Sequence, residues 1–185
     1  MKNLKTIDNK TKLILALVLI AIGVSGRLLP HLWNFTPIIA IALFAGVYMG
    51  KKYAVFLPLT IMLIGDIFIG FDHLAITISI YGSIALAGLL AYGLRRYKSF
   101  RVVAGITVAS SIMFFLITNA AVWVFSPLYT PNFSGLMQSY VMGIPFFRNS
   151  LIGNLFYTGI LFGVYELATF RSRYKTGLVA KNINF

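Results

Sequence analysis

The sequence predicts an all-α integral membrane protein with six transmembrane helices and with both termini in the cytoplasm. Two observations carry this prediction: an alternation of apolar and short polar segments, and a one-sided distribution of basic residues. Except for Arg27 and Arg148, all of the 16 Lys and Arg fall into four clusters. The clusters are the N-terminal tail, Lys51 with Lys52, residues 95–101, and the C-terminal tail from residue 171 onward. Short loops rich in Lys and Arg stay in the cytoplasm, so the clusters mark one side of the membrane.

Composition supports the same class of protein. The chain has 59% apolar and only 11% charged residues, with a mean hydropathy of +0.87, whereas soluble domains carry about 25% charged residues. The net charge of +12 lies in clusters between apolar segments. Anionic lipid headgroups are therefore the expected counterpart, and we expect membrane lipid rather than nucleic acid as a partner.

We expect one domain over residues 1–185, with spans over residues 13–29, 36–50, 53–70, 74–94, 102–125 and 145–170. The first two spans are short, because a bilayer crossing needs about 20 residues. Their outer ends are therefore predicted to lie below the membrane surface and to be joined by a recessed loop, residues 27–35. A longer outer loop is expected over residues 126–143, and Pro58 is expected to kink the third helix.

The N-terminal segment also has features of a signal peptide. A Lys-rich start precedes an apolar run and the small residues Gly23, Ser25 and Gly26, which is the order that such peptides show. Cleavage would leave five spans and an external N-terminus, whereas the remaining basic clusters already fit an even number of crossings. We therefore expect the segment to be retained.

Small residues recur every four positions on two predicted helices. They are Ser79, Ser83, Ala87 and Ala91 on the fourth helix, and Ala42, Gly46 and Gly50 on the second. This spacing lets helix backbones approach closely in lipid. Packing inside the bundle is the expected use, and a docking face for another membrane subunit is the alternative.

The outer half of the predicted bundle holds most polar groups that lie outside the basic clusters. They are Arg27, His31, Asn34, Asp66, Asp72, His73, Asn119, Trp123, Arg148, Asn149 and Asn154. Asp66 and Arg148 fall within apolar segments, where a charge costs several kcal/mol unless it is paired or hydrated. Such residues usually face a bundle interior or a water-filled cavity. An internal salt bridge or interfacial snorkelling is the alternative.

Several activities are not expected from this sequence. It has no GxxxxGK[ST] phosphate loop, so we expect no ATP hydrolysis, and no GxSxG elbow. It has no cysteine, and His31 and His73 lack any fixed metal-ligand spacing relative to the carboxylates. We therefore predict neither an enzyme nor a bound cofactor or dedicated metal site.

Four sequence blocks resemble a bacterial family of six-helix membrane proteins described as similar to the S components of energy-coupling-factor (ECF) vitamin transporters. The blocks are RLLPHLWNFTP at 27–37, GDIFIGFDH at 65–73, Asn119 with Trp123, and IPFFRNSLIGN at 144–154. The resemblance extends from Arg27 to Gly163. It implies an S-component-like bundle in the inner (plasma) membrane that captures a vitamin from outside, in many cases with a scaffold subunit and two ATPases as partners.

The resemblance also suggests roles for individual residues. Arg27 or Arg148 would hold an anionic or amide-bearing substrate by forked hydrogen bonds. Asp66 would orient a donor or the arginine, and Trp123 and Tyr81 would stack on a ring.

A relationship to the solitary cobalamin-transporting S components would rest on His31, Asp66, Tyr81 and Arg148. The cysteine that ligates cobalt in that group has no counterpart here. His31 or His73 would be the cobalt ligand if the substrate is a corrinoid.

The function expected from the sequence is capture of a vitamin or cofactor-like small molecule for uptake, with cobalamin or a related corrinoid as one candidate. The alternative is a structural or assembly subunit of a membrane complex that has no ligand of its own.

Overall fold

A computed structural model of the protein describes residues 8–29, 34–97 and 99–182, with side chains through residue 171. Regular structure in these ranges is helical throughout, with no strand. The helices are α1 (Asn9–Leu28), α2 (Ile38–Phe44), α3 (Lys51–Ile69), α4 (Leu74–Leu94), α5 (Phe100–Phe125) and α6 (Phe133–Asn182). A π-helical turn, Ala45–Met49, extends α2, and a 3₁₀ turn, Arg95–Tyr97, extends α4.

Five of the described helices are long and apolar enough to cross a membrane, which is consistent with a multi-pass membrane protein. They are α1, α3, α4 with its 3₁₀ turn, α5, and the Phe133–Arg171 part of α6. The sixth apolar helix, Ile38–Met49, is shorter. At 1.5 Å per residue it extends for roughly 18 Å, against a hydrocarbon core of about 30 Å.

The helix boundaries differ from the predicted segments most clearly in α6. This helix begins at Phe133, so the preceding loop is residues 126–132 rather than 126–143. Asn132 explains the early start, because its Oδ1 accepts a hydrogen bond of 2.9 Å from the amide of Gly135, as an N-cap does. Pro145, which the sequence analysis placed at the helix start, lies inside α6, and neighbouring helices allow such prolines in membrane helices.

The first helix also begins before the predicted residue. Asp8 is its N-cap, and the carboxylate accepts hydrogen bonds from both the amide and the hydroxyl of Thr11. These bonds favour the charged form and lower the pKa of Asp8. The N-cap therefore adds a turn to the predicted apolar segment.

The short helix α2 lies at the centre of the bundle. Every residue from Ile38 to Val47 is buried, and α2 contacts each of the other five helices. A helix that is apolar on all sides is expected in an interior. The C-terminal end of α2 packs through aromatic rings against α6, where the Phe44 and Phe162 ring centroids are 5.6 Å apart.

Small residues permit this central packing. A Cβ added to Gly46 would overlap the carbonyl oxygen of Gly88, and one added to Gly88 would overlap that of Ala54. Ser83, Ala87 and Ala91 of the predicted small-residue face are buried as well. The face thus packs inside the bundle, which confirms the first of the two interpretations given to it.

Short connections give the bundle two different ends. Residues 70–73 join α3 to α4, residues 95–99 join α4 to α5, and residues 126–132 join α5 to α6. Helices joined this way run antiparallel. The end that holds Lys51, Arg95 and Arg101 is the basic end, and the end that holds Arg27, Asp66 and residues 70–73 is the polar end.

We predict that Gly88→Ala destabilises the fold by about 1–3 kcal/mol, the usual effect of overpacking. The reason is that its methyl group would meet the backbone of Ala54, whose carbonyl carbon lies 2.9 Å from the added Cβ. Gly82→Ala is the matched control on the same helix, because nothing lies within 4 Å of its added Cβ. Thermal unfolding of the detergent-purified variants measures both. Equal unfolding temperatures for the two variants would contradict the close α3–α4 approach.

Candidate functional site

A cavity of about 310 Å³ opens at the polar end of the bundle. It is lined by the last turn of α1, the segment before α2, and residues of α2 through α6. Its polar lining consists of Arg27, Asn34, Thr36, Asp66, Asp72, Thr77, Tyr81, Ser150 and Asn154. Isoleucines, Met62 and Phe114 form the apolar part. The cavity therefore combines polar groups from several helices with apolar side chains.

An ion pair between Arg27 and Asp66 forms one wall of the cavity. Arg27 Nη2 donates to Asp66 Oδ1 and Nη1 to the sulfur of Met62, which lies one helical turn before Asp66 on the same face of α3. Tyr81 Oη of α4 donates to Asp66 Oδ2 at 2.7 Å. The two charged side chains are 14% and 11% exposed. Asp66 thus ties α1, α3 and α4 together, and its charge is compensated by Arg27.

A glycine makes this pair possible. A Cβ added to Gly65 would overlap Arg27 Nε and lie 2.8 Å from Arg27 Cδ. The arginine therefore crosses α3 directly above the glycine backbone. Arg27 Nε is buried there and has no hydrogen-bond partner among the residues that the structure describes.

Asn154 contributes an amide from α6 to the opposite wall. It is 2% exposed, and its Nδ2 donates to Ser111 Oγ at 2.9 Å and to Ser150 Oγ at 3.3 Å. Both amide protons are thereby used. Since Asn154 lines the cavity and its Oδ1 has no hydrogen bond within the described ranges, that oxygen is the available acceptor.

Deeper between α5 and α6, polar contacts become weaker. Thr107 Oγ1 lies 3.5 Å from Thr158 Oγ1 while donating to its own helix at Val103 O, at 2.8 Å. Ser111 likewise donates to Thr107 O at 2.9 Å. The hydroxyls of this buried seam are thus satisfied mainly by their own helix.

Asp72 and Asn34 lie at the mouth of the cavity. The side chain of Asp72 is exposed, and Thr77 Oγ1 hydrogen-bonds to its backbone carbonyl at 3.2 Å. Its carboxylate forms no ion pair with any residue that the structure describes. Asn34 has a φ of 60°, a left-handed conformation that asparagine tolerates better than most residues.

Several residues predicted from the sequence do not line the cavity. Asn119 Nδ2 donates to Phe115 O at 2.8 Å, and Trp123 Nε1 donates to Thr130 O at 3.0 Å, which closes the loop 126–132. His73 is exposed and begins α4 with its backbone carbonyl. Arg148 is exposed and Asn149 half-buried, and neither lines the cavity. His31 lies outside the described residues.

Besides five isoleucines, the structure adds cavity residues that the sequence analysis did not select, namely Thr36, Met62, Thr77, Phe114 and Ser150. Three of them lie four residues before a selected one on the same helix: Met62 before Asp66, Thr77 before Tyr81, and Ser150 before Asn154. Residues at this spacing share a helix face. Helical periodicity applied to the selected residues would have found them.

Fold and cavity together define an all-helical protein of the multi-pass membrane type, with a partly polar cavity at one end of its bundle. The chain belongs to the family of unknown function DUF6580, whose model matches residues 6–177. Comparison with curated proteins and with solved structures finds no significant match.

We predict that Asp66→Asn and Arg27→Gln each destabilise the protein by about 3–5 kcal/mol, because each leaves the other member of a buried ion pair uncompensated. The double variant is expected to lose less than the sum of the two, since it removes both charges. The free energy of unfolding from denaturant titration of the four proteins gives the coupling. Strictly additive losses would contradict the pair.

Asp72→Asn is the control for that double-mutant cycle. It removes a carboxylate from the same end of the bundle, but one that is exposed and makes no ion pair with the described residues. Its free energy of unfolding should stay within about 0.5 kcal/mol of that of the wild type.

Proposed function

We propose that this protein is a membrane substrate-binding protein that captures a small, vitamin-like molecule for uptake, in the manner of ECF S components. The observation that carries the proposal is the cavity of about 310 Å³, into which polar groups of several helices converge. Ligand sites of proteins are concave, largely apolar and supplied with a few placed polar groups. This lining has both components, and its polar and charged side chains slightly outnumber the apolar ones.

The proposed topology has six crossings, with both termini on the cytoplasmic side of the inner membrane. It follows from the basic end of the bundle, which the positive-inside rule assigns to the cytoplasm. The cavity then faces outward. The short α2 is the second crossing in this arrangement, and its recessed outer end leaves room for a ligand above it.

The size of the cavity bears on the substrate. Ligand pockets span about 300–1,000 Å³, so a cavity of about 310 Å³ favours a small vitamin over a corrinoid, which is a much larger molecule. Of the two proposed cobalt ligands, His73 does not line the cavity and His31 is outside the described residues. We therefore favour a non-corrinoid substrate within the proposed class.

Uptake against a gradient needs an energy source, and the sequence contains no phosphate loop. We propose that ATPases act through a separate scaffold subunit, as the resemblance implies. The structural-subunit alternative has lost one supporting feature, since the small-residue face of α4 packs inside the bundle.

A cavity-filling substitution tests capture. We expect native mass spectrometry against a panel of vitamins and corrinoids to detect a one-to-one adduct with the wild type and none with Ile80→Trp, because Ile80 lines the cavity. Ile78→Trp is the control, since Ile78 is 61% exposed on the outer face of the same helix. An adduct that survives in folded Ile80→Trp would contradict this site. No adduct with any panel member would favour the structural-subunit alternative.

Because the chain contains no cysteine, an introduced cysteine would be its only site of thiol labelling. The topology can therefore be tested one position at a time. Single substitutions Leu128→Cys, Lys52→Cys and Arg96→Cys would be treated with a membrane-impermeant maleimide in intact cells. We expect labelling of Leu128→Cys from outside, and labelling of the other two only after permeabilisation. The reverse pattern would contradict the proposed orientation and, with it, an outward-facing cavity.

A further inference from the structure

We propose that the cavity selects an organic cation, a small molecule that joins a protonated amine or other positively charged nitrogen to a ring. This inference rests on the proposed function, since it names the substrate class of the same site. It departs from the anionic or amide-bearing substrate that the resemblance suggested.

The balance of charge in the cavity is the first argument. Its described lining contains three charged side chains, Arg27, Asp66 and Asp72. Arg27 and Asp66 neutralise each other in the buried pair. Asp72 is left at the mouth without an ion pair among the described residues, so the lining has a net charge of −1. A cationic ligand would compensate this charge, whereas an anion would be repelled by it.

The hydrogen-bonding capacity of the walls is the second argument. Arg27 places Nη1 against Met62, Nη2 against Asp66 and Nε against Gly65, so its guanidinium lies along α3. The hydroxyl proton of Tyr81 is used on Asp66, and the amide protons of Asn154 are used on two serines. Tyr81 Oη and Asn154 Oδ1 therefore remain as acceptors. These two acceptors suit a ligand that brings N–H donors.

The apolar lining is the third argument. Tyr81 and Phe114 both line the cavity, and an aromatic face attracts an organic cation within about 6 Å of the ring centroid. Ile39, Ile80 and Ile84 supply aliphatic surface for the uncharged part of the ligand. Together with the carboxylate at the mouth, this lining recognises both halves of a ring-bearing amine.

The test uses three indoles that share one ring and differ in charge: tryptamine, its neutral alcohol tryptophol, and the anion indole-3-acetate. Equilibrium binding of each radiolabelled compound would be measured on the full-length protein in lipid nanodiscs. We expect tryptamine to bind more tightly than tryptophol, and indole-3-acetate to bind most weakly. Asp72→Asn should weaken tryptamine binding about tenfold, the value of one charge-assisted contact, and leave tryptophol binding unchanged.

Asp8→Asn is the matched control for the loss of one negative charge. Asp8 is the exposed N-cap of α1, remote from the cavity lining, and asparagine caps helices equally well. This variant should keep the binding order and the tryptamine affinity of the wild type. An equal loss in both variants would mean that net charge rather than Asp72 sets the preference, which contradicts the inference.

Two further results would overturn cation selectivity. A preference for indole-3-acetate or tryptophol would contradict it while leaving capture intact, since a ligand would still enter the cavity. Binding of none of the three by folded wild type would also contradict it. In that case the vitamin panel with Ile80→Trp decides capture independently, because it includes neutral and anionic molecules.

Discussion

The buried central helix, Ile38–Met49, is the constraint on which the bundle depends. It has apolar residues on every side and contacts all five other helices, so its neighbours must surround it completely. Glycines on α2 and α4 let the backbones meet, because added side chains at Gly46 and Gly88 would overlap backbone oxygens. Since the central helix is shorter than the surrounding ones, space remains above its first turn, and the cavity occupies that space.

The ion pair beside this space shows how the membrane affects the choice of residues. Arg27 and Asp66 each would be unfavourable alone in an apolar bundle, but as a pair with Tyr81 they join three helices around the cavity. Because Arg27 and Asp66 neutralise each other, the net charge of the cavity is set by the other residues that line it. The same polar residues can thus support the fold while their mutual neutralisation leaves Asp72 as the uncompensated charge of the described lining.

The lengths of the apolar segments made much of this fold predictable from the sequence. The described α4 begins at Leu74 and ends at Leu94, where the sequence analysis placed it. The start of α6 was missed because Pro145 was taken as a helix start and Asn132 was not considered as an N-cap. At the site, the end of the bundle was predictable but the direction of the side chains was not. Asn119 and Trp123 lie in the last two turns of α5, at the polar end, yet they bond to backbone away from the cavity. Asp66 pairs with Arg27 rather than with Arg148, and this pairing depends on the close approach of Arg27 to α3 at Gly65. A single sequence does not show which helices approach each other so closely.

The polar link between α5 and α6 lies next to the cavity. Farther along the seam, the contact of Thr107 with Thr158 is long, at 3.5 Å, and Thr107 donates to its own helix. The shorter cross-helix bond runs from Asn154 to Ser111, at 2.9 Å, and Asn154 also lines the cavity. A ligand that turned the amide of Asn154 toward itself would therefore break this bond. Occupancy of the cavity and the packing of the last two helices are thus coupled through one side chain.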